Sequence, residues 1–257
     1  MSRAWYTICM LIDSHCHLID SQYQNTVDEI IAHAKSRGVE KYITIGTSPA
    51  SSADACACAE KYPDVFWTYG YHPNEYDGDK MQLEKDLAAA KPLFASKKLV
   101  GIGEIGLDYH FPPFDKNAQI YLLEHMLQIA QDQKLPVSFH VRDAFDDFWP
   151  IFDNFHLPKS VLHSFSDSEQ NLAEGMRRDL CFGVNGLSTF AKIPHAPLDR
   201  ILLETDAPYL TPKPFRGTIN MPGYIKEIAE WASEYYKTSL DQVAKITTAN
   251  VEHIFKV

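Results

Sequence analysis

Short runs of apolar, β-prone residues recur along the chain: YTICMLID (6–13), KYITIG (41–46), VFWTYG (65–70), KLVGIG (98–103), LPVSFH (135–140), SVLHSF (160–165), LCFGV (180–184) and RILLET (200–205). Helix-length segments separate most of them. TVDEIIAHAKSRGV (26–39) carries apolar residues at helical spacing and offers Gly38 as a C-cap signal. NAQIYLLEHMLQIAQDQKL (117–135) repeats the pattern up to Pro136, and FDDFWPIFDNF (145–155) reads as the core face of an outer helix. The segments 222–237 and 239–255 predict a helical C-terminus, the second with Ser239 as N-cap.

Nearly continuous apolar strands alternating with helices imply a parallel sheet covered by helices. Eight such units in 257 residues match the size of a (β/α)8 TIM barrel. A doubly wound open sheet is the alternative, but it usually carries a glycine-rich phosphate loop after its first strand, and none follows here. The segment 185–199, NGLSTFAKIPHAPLD, is short and proline-interrupted, so one outer helix is expected to be shortened. With no linker, repeat or low-complexity tract, residues 1–257 read as a single domain.

Composition adds mainly exclusions. A formal net charge of −10 argues against whole-surface attraction to nucleic acid or anionic membrane, so a polyanionic substrate needs a locally positive site. The five cysteines (Cys9, Cys16, Cys56, Cys58, Cys181) form no C-x-x-C pair, which suits a reducing compartment. MSRAWYTICMLI reads as a first strand rather than a signal peptide. No apolar stretch approaches a transmembrane span. A cytoplasmic, monomeric protein is expected.

The chemistry of a barrel sits where strands end, at the C-terminal face. His15 and His17, His72, Glu104, His140, His163 and Asp206 all stand at those ends, and they include five of the chain's eleven histidines. A lone histidine there is more often a hydrogen-bonded structural residue than a ligand. His15 and His17, however, are two apart, so on a strand they share a face with Cα atoms separated by roughly 6.6 Å. Four histidines, a glutamate and an aspartate aimed at one barrel mouth would be unfavourable without a cation. Nitrogen and oxygen donors suit zinc, manganese, iron or magnesium, and six ligands suit two divalent ions. Cys16 faces the other way and reads as packing, and Asp13 reads as a supporting residue deeper in the barrel.

DSHCHL (13–18), GYHP (70–73), GEIGLDY (103–109), LPVSFHVRDA (135–144), HSFS (163–166) and LLETDAPYLTP (202–212) with RG (216–217) resemble the TatD family of metal-dependent deoxyribonucleases, over about residues 11 to 254. The resemblance implies that His15, His17 and Asp206 bind one metal, that Glu104 bridges two, and that His140 and His163 serve the second. Glu104 stands where many relatives in the wider group use a carbamylated lysine. Two departures stand out: Asn220-Met221-Pro222 replaces a common Asn-Glu-Pro, and the segment after Thr189-Phe190 is short.

The expected activity is hydrolysis of DNA phosphodiesters, as an exonuclease on strand ends or single strands, by a metal-activated water. Asp206 is the candidate to take the water's proton, with Glu104 beside it as the bridging carboxylate. His72 and Arg142 are candidate phosphate contacts, although Arg142 could equally pair with Asp143. Tyr109 is a candidate base-stacking residue, and Asp108 reads as bracing. The rival readings are a metal-dependent hydrolase of a cyclic amide, lactone or phosphotriester, and a non-catalytic metal-binding adaptor.

Overall fold

The computed structural model describes residues 10–257. Its eight parallel strands follow chain order in one sheet: β1 (Leu11–Cys16), β2 (Val39–Ile45), β3 (Val65–Tyr69), β4 (Leu99–Asp108), β5 (Val137–Arg142), β6 (Val161–Leu162), β7 (Cys181–Val184) and β8 (Ile201–Leu203). Helices α1 (Val27–Ser36), α2 (Pro49–Lys61), α3 (Lys80–Ala90), α4 (Lys116–Gln133), α5 (Phe145–Phe152) and α6 (Glu169–Arg177) connect them, and α7 (Ile225–Tyr235) and α8 (Leu240–Phe255) follow β8. Backbone bonds from His17 N to Ala207 O and from Asp206 N to His15 O, both 2.8 Å, join β1 to the chain just past β8. This is the expected (β/α)8 barrel. Among the described residues no helix is long and apolar enough to cross a membrane.

Local chemistry sets the element ends. Thr26 and Glu29 form a reciprocal capping box at α1, which stops at Arg37 before Gly38 at φ +92°. Ser239 caps α8 as expected. The Phe145, Phe148, Trp149 and Ile151 side chains of α5 are buried, so that stripe is core. Between β7 and β8 the chain makes only two short 3₁₀ turns, Gly186–Thr189 and Leu198–Arg200. The missing outer helix is compensated from further along: α7 packs over this connection, with Tyr236 Oη donating to Ala196 O at 2.6 Å.

Ile12, Ile43, Val100, Val161, Cys181 and Leu202 belong to six different strands yet form one buried cluster. Strands around a ring can share a cluster in this way only on the inside. Ile254 and Phe255 of α8 join it near the strand starts, so the C-terminal helix seals the end of the barrel away from the strand C-termini. The outer faces pack on the helices, as where Phe139 meets Phe148 at 5.1 Å. Each such buried aromatic or aliphatic side chain contributes about 1.5–3 kcal/mol.

The strand boundaries differ from the apolar runs in instructive ways. Residues 6–9 of the first run, and Cys9 with them, lie outside the described residues, while β1 continues past Asp13 to Cys16. β4 runs on to Asp108, and all ten of its residues are buried. The β1–β2 register slips between Asp13 and Cys16, and the β4–β5 register slips between Ile102 and Ile105. Each irregularity brackets one acidic or imidazole side chain of the barrel mouth, His15 in the first case and Glu104 in the second. Bulges of this kind re-aim a side chain. Ile12 and His15 both point inward, three residues apart, which an unbroken two-residue alternation would forbid.

Candidate metal centre

Glu104 occupies the middle of the mouth. Its Oε1 lies 2.8 Å from His140 Nδ1, 3.3 Å from His163 Nε2 and 3.7 Å from His72 Nε2. Its Oε2 lies 3.4 Å from His15 Nε2. Asp206 Oδ1 approaches His17 Nε2 at 3.3 Å and His15 Nε2 at 3.7 Å. The rings of His15 and His163 stack with centroids 3.7 Å apart. Ligand atoms of His15, His17 and Glu104, of His15, His163 and Asp206, and of His72, Glu104 and His140 lie within 4.8 Å of one another, so each trio could hold an ion. The structure therefore gathers all the strand-end residues singled out from the sequence, and His72 with them.

Close backbone approach makes this density possible. A Cβ on Gly106 would lie 1.7 Å from His140 O, and one on Gly70 would lie 2.2 Å from Glu104 N. Only glycine at these positions lets β3, β4 and β5 converge on the carboxylate. Asp206 adopts φ +55°, a left-handed conformation that is uncommon away from glycine. Asn220 holds the loop around it, donating through Nδ2 to Thr205 O at 2.8 Å and to Tyr209 O at 2.5 Å. This loop is tied without a glutamate at position 221. Asp13, fully buried, turns to Thr205, accepting from its N at 3.0 Å and its Oγ1 at 2.6 Å.

Partners behind the imidazoles decide which nitrogen faces inward. His163 Nδ1 lies 3.1 Å from Glu204 and His140 Nε2 lies 3.2 Å from Asp108, which leaves His163 Nε2 and His140 Nδ1 for the centre. His15 Nδ1 meets Ser138 Oγ at 3.2 Å. Its Nε2 is buried and makes no hydrogen bond, so a donor atom aimed at the middle of the cluster lacks a partner that a cation would supply. His72 is different: Asn74 N donates to its Nδ1 at 3.2 Å. A neutral His72 must then carry its proton on Nε2 and present a donor to the cavity. Glu204 and Asn74 were not singled out from the sequence, although Glu204 sits inside the LLETDAPYL block.

The electrostatics follow from burial and these pairings. Burial opposes charge on Glu104, but His163 and the facing imidazoles of His140 and His15 hold its carboxyl well below the usual range. Burial likewise opposes charge on His163, and the Glu204 and Glu104 carboxylates outweigh it and push the imidazole well up. Asp206 is held down through His17 against its own desolvation. Burial lowers His72 to about 4, so it is neutral near pH 7. Burial also pushes Asp13 up to about 8 against its bonds from Thr205. Histidine and carboxylate donors arranged in this way exchange protons for a divalent cation.

The cluster opens into a cavity of about 550 Å³, and among the described residues Arg142 is the one lysine or arginine that lines it. Asp143, weighed as a partner for Arg142, instead pairs with His110 at 2.7 Å. The Arg142 guanidinium lies 4.9 Å over the Phe111 ring and makes no ion pair among the described residues. Tyr109 is stacked under Phe114, with centroids 4.9 Å apart, and is partly buried against the core.

Comparison with known proteins places the chain among metal-dependent hydrolases. The profile of the family described as TatD related DNase matches residues 12–256. The chain is 35% identical over 257 residues to the uncharacterized metal-dependent hydrolase YabD of Bacillus subtilis (strain 168), which covers 96% of this chain and 100% of that protein. It is 34% identical over 242 residues to the 3'-5' ssDNA/RNA exonuclease TatD of Cronobacter sakazakii, covering 87% of this chain and 91% of that one. Among solved structures, YJJV, a TatD homolog from Escherichia coli K12, superposes with a TM-score of 0.88 at 28% identity, covering 97% of this chain and 99% of its own.

Proposed function

The chain belongs to the family of TatD-related DNases and is a metal-dependent hydrolase, and from that premise we propose that it cleaves DNA phosphodiesters at strand ends or in single strands. In this reading His15, His17 and Asp206 hold one divalent cation, His140 and His163 hold a second, and Glu104 lies between them. Bound there, the cations supply Lewis acidity, lowering the pKa of water and neutralising phosphate charge. The observation that carries the reading is the split of the Glu104 carboxylate, with Oε2 toward His15 and Oε1 toward His140 and His163. A single tetrahedral ion would leave part of this donor set unused.

The protein's own groups have separable tasks. Asp206, which follows β8 and faces His15 and His17, accepts the proton of the attacking water. His72 donates from Nε2 and Arg142 from its guanidinium to non-bridging phosphate oxygens. Asp108 and Glu204 hold His140 and His163 in the tautomers that turn lone pairs inward. Tyr109 contributes from beneath Phe114, by supporting the loop. A chain of net charge −10 grips few phosphates, which fits strand ends better than long duplex. The name of the Cronobacter relative supports the same substrate class.

The test is release of nucleotides from end-labelled single-stranded DNA with Mg²⁺, Mn²⁺ or Zn²⁺, and its loss in Glu104→Gln and Asp206→Asn. Absence of release with all three metals, while a cyclic amide, lactone or phosphotriester is turned over, overturns the nuclease reading. Metal binding with no turnover of any of these substrates favours a binding protein.

A further inference from the structure

Most large apolar side chains among the described residues are buried, yet Phe111 is 63% exposed and Phe114 is 39% exposed. Both sit on the loop between β4 and α4, at the same barrel end as the cluster. Exposed apolar surface beside a cavity is one physical mark of a ligand-binding site. The Phe111 ring lies beneath the guanidinium of Arg142, the cation that lines the cavity. Phe114 covers Tyr109 with an interplanar angle of 8° and is itself part of the exposed surface. The stack thus ends, on its outer side, in a ring that solvent reaches.

The loop is held in place before any ligand arrives. Asp108 Oδ1 accepts from His110 N at 2.9 Å, His110 Nδ1 meets Asp143 at 2.7 Å, and the His110 ring stands edge-on to Phe111 at 4.4 Å. Pro112 and Pro113 restrict φ between the two phenylalanines. The same Asp108 braces His140, so platform and cluster share an anchor. Across the mouth Tyr209, 45% exposed, lies 5.9 Å from the His17 ring and is tied to Asp20 at 2.9 Å.

We propose that Phe111 and Phe114 form a stacking platform for the unpaired nucleobases of a strand whose phosphate is held at Arg142. The proposal rests on the nuclease reading and moves the base contact from Tyr109, which Phe114 covers, to the two exposed rings. An aromatic face accepts any base, so the platform confers preference for unpaired ends and little sequence preference. Duplex bases are already stacked and present no free face to it.

The experiment compares an oligothymidylate with the same strand carrying abasic sites at its two terminal positions, at either end, with binding read by fluorescence anisotropy and hydrolysis by release of label. Phe111→Ala is expected to weaken binding of the intact strand roughly 5- to 150-fold, the range for loss of one base-stacking ring. The abasic strand should bind native protein and Phe111→Ala alike, and Phe111→Trp should restore the intact strand. Phe111 is mostly solvated, so unchanged thermal unfolding of the variant excludes misfolding, while Phe114→Ala is read with the same control because it uncovers Tyr109. Equal binding of intact and abasic strands by the native protein, or an equal loss on both in Phe111→Ala, overturns the platform. Hydrolysis without Phe111 dependence overturns the platform and leaves the nuclease reading standing, while Phe111-dependent binding without hydrolysis does the reverse.

Discussion

One oxygen of Glu204 lies 3.1 Å from His163 Nδ1 and also accepts from Ser164 N at 2.7 Å and Asn185 Nδ2 at 3.2 Å. The carboxylate is thereby fixed by three groups and in turn fixes the tautomer of a proposed ligand. Glu204→Gln preserves size but removes the charge that makes the imidazole a stronger donor. Divalent-metal affinity should fall roughly 10- to 100-fold with little change in fold. Calorimetric titration of the metal-free protein with Mn²⁺ checks this, and an unchanged affinity would remove Glu204 from the site.

His72 should separate from the other histidines in a metal assay. Because Asn74 N occupies its Nδ1, the neutral ring has a proton where a ligand needs a lone pair. Metal content after dialysis is therefore expected to survive His72→Ala and to drop in His140→Ala. Turnover of labelled DNA by His72→Ala should fall by roughly 10²-fold, as when one transition-state donor is removed. Loss of metal in His72→Ala would make it a ligand.

Stripping the cations should cost stability. His15 Nε2 is buried without a hydrogen bond, and four imidazoles crowd one carboxylate. A cation at about 100 times its Kd stabilises by about 2.7 kcal/mol. For a chain of this size each kcal/mol shifts Tm by about 2–4 °C. Mn²⁺ should thus raise Tm by roughly 5–10 °C, and a chelator should reverse it.

Away from the centre, His195 predicts an acid-side loss. Its ring packs at 4.7 Å from Trp231 and 5.0 Å from Tyr235, and burial lowers it to about 4. A histidine with a depressed folded pKa is neutral in the fold, so its share of stability is full above the unfolded pKa of about 6.5. That share shrinks as the pH falls from there toward 4. Denaturant midpoints at several pH values should show a shallower acid limb in His195→Phe, which keeps the ring contacts.

The barrel was legible because its strands are apolar on both faces, and the candidate ligands at the strand ends were legible because their residue types are out of place beside such runs. What lay hidden depended on geometry that no local pattern records. β1 and β4 continue beyond their apolar stretches because Asp13, His15 and Glu104 are buried in a polar mouth, so a hydrophobicity reading stops early. Glu204 had no visible partner, since His163 and Asn185 come from the chain just past two other strands, β6 and β7. Tyr109 and Phe114 are equally aromatic in the sequence, and only the stack reveals which of the two is covered.

The seam between β1 and the chain past β8 should be the most sensitive place outside the cluster itself. Thr205 is fully buried, its Oγ1 donates to Asp13 Oδ2 at 2.6 Å, and the same oxygen accepts from Ala207 N at 3.1 Å. Thr205→Val matches the shape but leaves both partners unpaired, and each buried orphan costs about 1–3 kcal/mol. Asp13, already raised to about 8 by burial, loses one of the bonds that favour its charged form, which strengthens its preference for the protonated state. The loss does not stay local, because His17 N binds Ala207 O and Asp206 N binds His15 O along the same seam. Denaturant unfolding should therefore show a loss of about 2–6 kcal/mol, and metal titration should show weaker binding, with Thr205→Ser restoring both because it returns the hydroxyl. A Thr205→Val variant that lost stability but bound metal normally would show that the seam supports the fold without positioning Asp206.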